Sequence, residues 1–173
     1  MKSTVKIFSG ISIVSFIILC LLEIEVLDAI SYAISFSTLA YFGYDKLLWR
    51  INPFDKTPKI YGEYSVKNNS TYQGGMEFDS HIKIKQTRST IMVIEKLRDG
   101  VCESVTASLQ RGSTNGKWFL YYTYLTHPKN VGDDMHYGTS ILCIHSRDFL
   151  EGSYFTNRTQ QTRGSQVLKR IKK

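Results

Sequence analysis

Hydrophobic residues change their rhythm once along this chain, near Pro58. Before it they form two near-continuous runs, Val5–Leu22 and Ala29–Phe42; after it they alternate with polar residues in short bursts. Coiled as a helix, the first run covers roughly 27 Å, close to the thickness of a bilayer core, and Ile7–Leu22 carries no charge. The second run reaches spanning length by continuing to Trp49, with Asp45 and Lys46 at the depth of the interface. A cleaved signal peptide would end its apolar core at small residues, but this core runs into Cys20-Leu-Leu-Glu-Ile-Glu25, which favours a retained span. The expectation is a transmembrane hairpin over 1–50. Its basic residues, Lys2 and Lys6 before the first span and Lys46, Arg50, Lys56 and Lys59 after the second, predict both termini in the cytoplasm. The acidic connection with Glu23, Glu25 and Asp28 then lies outside. Ser31, Ala33, Ser35 and Ser37 offer small surfaces for close helix packing.

Residues 51–58, with Pro53 and Pro58, read as a short stiff linker. Beyond it, runs rich in β-branched and aromatic residues predict strands over 60–67, 78–86, 90–97, 102–111, 117–125, 136–145, 149–158 and 164–171. Turn residues separate them, as in Arg98-Asp-Gly100, Gly112-Ser-Thr-Asn-Gly116 and the longer 126–134 stretch. Eight consecutive strands with short connections predict an antiparallel meander, and closure into an eight-stranded β-barrel over 59–173 removes both of its edges. A two-sheet sandwich is the alternative. Ile82, Ile84 and Gln86 share one face of their strand; Trp118, Leu120, Tyr122 and Tyr124 share one face of theirs, opposite Phe119, Tyr121, Thr123 and Leu125.

Charge changes the picture for this half alone. Residues 1–57 balance five basic against five acidic side chains, whereas 58–173 carry 17 against 10, so the whole net charge of +7 sits on the strand-rich part. That favours an anionic partner such as a nucleotide, a nucleic acid or a lipid headgroup. Cys20, Cys102 and Cys143 have neither zinc nor CxxC spacing and fit reduced thiols. Nothing points to catalysis. No HExxH or P-loop appears, Ser153 lacks a nucleophile-elbow context, and Gly132-Asp-Asp134 reads as a solvated loop. The expectation is a non-enzyme with no metal and no resident cofactor.

What remains is a basic and aromatic group: Lys83, Lys85, Gln86, Arg88, Tyr122, Tyr124, His136, Tyr137, Thr139, Tyr154, Thr156, Arg158, Arg163 and Ser165. Arginine forks suit phosphate, aromatic faces stack on bases, and Thr, Gln and Ser read base edges. Each has a plainer role. Tyr122 and Tyr124 serve equally as core aromatics, Lys83 and Lys85 as a solvated strand face, and Arg158 and Arg163 as charges around a turn.

The ordered motifs "PKIYGEYSV" at 58–66, "IKIKQTRSTIMV" at 82–93, "WFLYYTYLTHP" at 118–128, "DMHYGTSIL" at 134–142 and "LEGSYFTNRTQQTRGSQVLKR" at 150–170 carry a family resemblance. The chain resembles the two-transmembrane, β-strand-rich membrane effectors of bacterial cyclic-oligonucleotide antiphage signalling (CBASS), associated with CD-NTases. The resemblance implies a barrel that binds a cyclic dinucleotide made by a partner CD-NTase, self-association on activation, and disruption of the bacterial inner membrane with death of the infected cell. It implies no DNA or RNA polymer as partner. It assigns ligand contact to Gln86, Thr87, Tyr122, Tyr124, His136, Thr139, Tyr154, Thr156, Arg158 and Arg163. Gly62-Glu-Tyr64 resembles a barrel-closing signature in which Trp is common, here with Tyr in its place. A membrane-tethered lipid-binding barrel and a non-catalytic protein-interaction module are the rival readings.

Overall fold

The structure is a computed structural model that describes residues 2–129, 135–158 and 161–172, with the side chains of residues 2–8 and 73 left aside. Contacts within the chain divide it into two compact units, Met1–Asp55 and Lys56–Lys173.

The first unit is a helix pair, α1 (Lys2–Leu21) and α2 (Val26–Lys46), joined through Glu23, whose positive φ of 60° makes the tight turn. Among the described residues α2 is long and apolar enough to cross a membrane; the apolar stretch of α1, Ser9–Leu21, is shorter. Most of the large apolar side chains on this pair face outward, among them Ile13, Ile17, Leu21, Leu27, Tyr32, Phe36 and Leu39. The buried stripe of α2 is Ala29, Ala33 and Ser37, whose four-residue spacing keeps them on one face. Ser31 and Ser35 are exposed and turn their hydroxyls back to Leu27 O and Ser31 O. Within the helix pair the buried small-residue stripe is therefore 29/33/37.

The second unit is a closed barrel of eight antiparallel strands in sequence order. They are β1 (Gly62–Ser70), β2 (Met76–Gln86), β3 (Ile91–Lys96), β4 (Gly100–Arg111), β5 (Trp118–Pro128), β6 (His136–Ile144), β7 (Phe149–Thr156) and β8 (Arg163–Arg170). All eight expected strands are present, and β8 pairs back on β1 from Tyr64↔Arg170 to Ser70↔Gly164, which excludes the sandwich. Strand β5 runs three residues past its expected end, consuming the start of the 126–134 loop. The Gly132-Asp-Asp134 turn lies outside the described residues.

Alternation decides what fills the lumen, because a closed barrel turns every second side chain inward. The end nearest the linker is apolar: Val66, Ile82, Ile84, Val93, Leu120, Leu142, Leu150 and Leu168 are buried there with Ile60 and Tyr64. Tyr64 Oη donates to Ile60 O at 2.8 Å and to Arg147 O at 2.9 Å, and Arg170 lies 5.9 Å over its ring. Arg170 also donates to Tyr61 O at 2.7 Å. The last strand thus latches onto the first through a cation–aromatic stack at the closed end. Burial pushes the Tyr64 hydroxyl up to about 12, with Arg170 and Arg147 pulling the other way.

Candidate functional site

Above the apolar floor the lumen turns polar. Glu95, on β3, is 4% exposed and sits inside the barrel. Its carboxyl accepts from Ser80 Oγ at 2.5 Å, Asn68 Nδ2 at 3.4 Å and Gln166 Nε2 at 3.4 Å. Gln166 also donates to Asn68 Oδ1 at 2.9 Å and accepts from Ser140 Oγ at 2.9 Å and Tyr122 Oη at 3.4 Å. Burial raises the Glu95 carboxyl above its ordinary value, and the three hydrogen bonds only partly oppose it.

Over this network lie Tyr122, Tyr124 and Tyr154, all buried. Tyr124 pairs across strands with Gly138, and Tyr154 with Gly164; a Cβ on either glycine would overlap the partner ring. The two glycines leave room for the tyrosine rings to lie against the backbone of the neighbouring strand. Burial pushes the hydroxyls of Tyr122, Tyr124 and Tyr154 up, and the nearby Cys102 thiol to about 12. These tyrosines pack as buried core aromatics.

The rim of this upper end joins several of the expected residues. Arg158 Nε donates to His136 Nε2 at 3.2 Å, and the guanidinium lies 4.7 Å over the ring of Tyr72, a residue not foreseen. His136 Nε2 also meets Thr126 Oγ1 at 3.2 Å, and the hydroxyls of Thr156 and Thr162 are 2.7 Å apart. On the outer wall of the same end, Thr139 and Arg163 flank Phe155 in successive cross-strand pairs, Thr139↔Phe155 and Phe155↔Arg163. Phe155 is 56% exposed and Tyr137 49%. A cleft of about 690 Å³ opens here, lined by Thr71, Tyr137, Thr139, Phe155, Asn157 and Arg163 among others. A second, of about 460 Å³, lies on the other side of Phe155 and Arg163, against Asn69, Ser153 and Ser165.

The ten residues assigned by resemblance therefore separate. Tyr122, Tyr124, Tyr154 and Thr156 face the upper lumen, His136 and Arg158 the rim, and Thr139 and Arg163 the outer flank. Gln86 and Thr87 are not brought near them: they lie at the linker end. Gln86 spends its amide on the linker, donating to Pro58 O at 2.8 Å and accepting from Ile60 N at 2.9 Å. Thr87 closes the β2–β3 turn through Thr90 at 2.9 Å. Lys83 pairs with Glu63 at 3.3 Å on the outer wall. Among the described residues no cluster of His, Cys, Asp or Glu is placed to hold a metal ion.

A closed antiparallel barrel with a sealed end, a polar upper end and exposed cations beside aromatic faces is a binding protein of the up-and-down barrel class. Comparison with known proteins gives the particular family. Residues 55–170 match the model described as Cap15, cyclic dinucleotide receptor domain, and the chain belongs to that family. It is also similar to CD-NTase-associated protein 15 of Staphylococcus schleiferi, 29% identical over 97% of this chain and 96% of that protein. A second relative, CD-NTase-associated protein 15 of Yersinia aleksiciae, is 27% identical over 76% of this chain and 65% of its own length. The matched region is of the receptor-domain type.

Proposed function

We propose that this protein is a CBASS effector of the bacterial inner membrane whose barrel binds a cyclic dinucleotide released by a partner CD-NTase. The observation that carries the reading is the receptor-domain match over 55–170, on a chain that also bears a membrane-length apolar helix. Residues 1–50 form a two-span hairpin with both termini in the cytoplasm, 51–58 the linker, and 59–173 the sensor. The long apolar side chains exposed on the helix pair support a lipid-facing role, since water would not leave such a surface open.

The ligand binds at the upper end of the barrel on the outer flank that carries Arg163 and Thr139, next to the rim residues His136 and Arg158, while Thr156, Tyr124 and Tyr154 support that wall from the lumen side. Guanidinium groups meet the phosphates and exposed aromatic faces meet the bases. Gln86 and Thr87 act on closure of the linker end instead. Nucleotide charge offsets the excess of basic side chains on the barrel and favours self-association. The hairpins then gather and disrupt the membrane, ending in cell death. Titration of full-length protein in detergent with a panel of cyclic dinucleotides, followed by dye release from liposomes, tests both steps. Micromolar or tighter binding coupled to release is expected; a folded protein that releases dye without any nucleotide would sink the sensor reading.

A further inference from the structure

The outer flank of β6–β8 has the composition of a nucleotide site but only one wall. Phe155 and Arg163 form a ridge between the two clefts, which share both residues and Thr71. The Phe155 ring stands more than half exposed, and Arg163 makes no ion pair among the described residues. Arg158, the other cation nearby, is already engaged by His136 and Tyr72. Tyr122, Tyr124 and Tyr154, which face the lumen, are buried and present no exposed ring face.

A cyclic dinucleotide presents two phosphates and two bases around one ring, related by an approximate two-fold axis. Among the described residues, one flank supplies one guanidinium without an ion pair, Arg163, and one exposed phenyl face, Phe155. Sites that hold small ligands bury most of the ligand's surface, which an open wall does not do. The missing wall must carry the same chemistry, and a two-fold ligand is matched by the same patch on a second copy of this chain.

We propose that the flank is a half-site: one cyclic dinucleotide is clamped between two protomers, each giving Arg163 to one phosphate and Phe155 to one base. This rests on the nucleotide reading above and adds how binding becomes association. Without ligand, two basic flanks repel; with it, two negative charges lie between the two guanidinium groups.

The test is full-length protein in detergent, titrated with cyclic di-AMP, cyclic di-GMP, cyclic GMP–AMP and cyclic di-UMP, with stoichiometry by calorimetry and mass by light scattering. The expected result is one ligand per two protomers, and association that rises and then falls as excess ligand fills each half-site separately. Arg163→Ala and Phe155→Ala should each weaken binding by about tenfold or more with the unfolding midpoint unchanged. Lys83→Ala, on the far wall, should leave affinity as it is. One ligand per protomer with no change in mass overturns the half-site alone, as does wild-type affinity in both flank variants. No binding by any member of the panel overturns the nucleotide reading and the half-site together.

Discussion

The two ends of the barrel are built from the same strands and serve opposite purposes. At the linker end inward positions are aliphatic, Tyr64 and Arg170 latch the first strand to the last, and Gln86 ties down the linker. At the upper end inward positions carry Glu95, Gln166, Asn68 and three tyrosines, and the outer wall exposes Phe155 and Arg163. The lesson is a division of labour along each strand. Apolar burial at one end supplies stability, so the other can afford polar groups and solvent-facing aromatics that contribute little to folding.

Substitutions at the two ends should therefore report on different observables. The largest effect is expected from Leu142→Ala, fully buried in the apolar floor: a loss of about 2–5 kcal/mol in chemical denaturation. If Leu142→Ala costs no more than a substitution on the outer wall, the floor is not what holds the barrel. Gly164→Val comes next. The added side chain collides with Tyr154 and with Asn69 backbone, so the upper end should loosen, seen as lost near-ultraviolet dichroism from its tyrosines. Arg170→Met keeps the length of the side chain but removes the stack on Tyr64 and the bond to Tyr61 O; a loss of about 1–3 kcal/mol is expected, with ligand affinity unchanged.

The smallest effect at neutral pH is a slope rather than a step. Glu95 is held above its ordinary value of 4.5 in the folded barrel, so the folded state binds its proton more tightly than the unfolded chain. Its contribution to stability is full below the ordinary value and is lost as pH rises through the raised one. Glu95→Gln keeps an amide able to join the Asn68–Gln166 network and should flatten that decline in urea midpoints measured from pH 4 upward. An unchanged slope would mean the carboxyl is not buried as described.

Much of this was legible in the linear pattern. The two apolar runs marked the helix pair, and the alternation after Pro58 located all eight strands, most within two residues at each end. That Ile82, Ile84 and Gln86 share one face of β2, and Leu120, Tyr122 and Tyr124 one face of β5, also followed from it. Glu95 did not. In Ile91–Lys96 a glutamate beside a lysine looks like a solvated face, and only pairing with Ile82 and Cys102 turns it inward. Arg170 was placed in the last expected strand, but only closure set it opposite Tyr64. Gln86 and Thr87 were grouped with the upper-end residues by the family resemblance, yet strand direction carries them to the far end of the barrel.

Periodicity is a local property. A run of apolar residues or a two-residue alternation is set by near neighbours, so the chain alone determined the helices, the strands and which side chains share a face. Which face points inward, which ends meet and which charges gather depend on pairings between residues far apart in the chain, as between Tyr64 of β1 and Arg170 of β8. Only the closed barrel decided those, because register and closure are properties of strand pairs and not of any one strand.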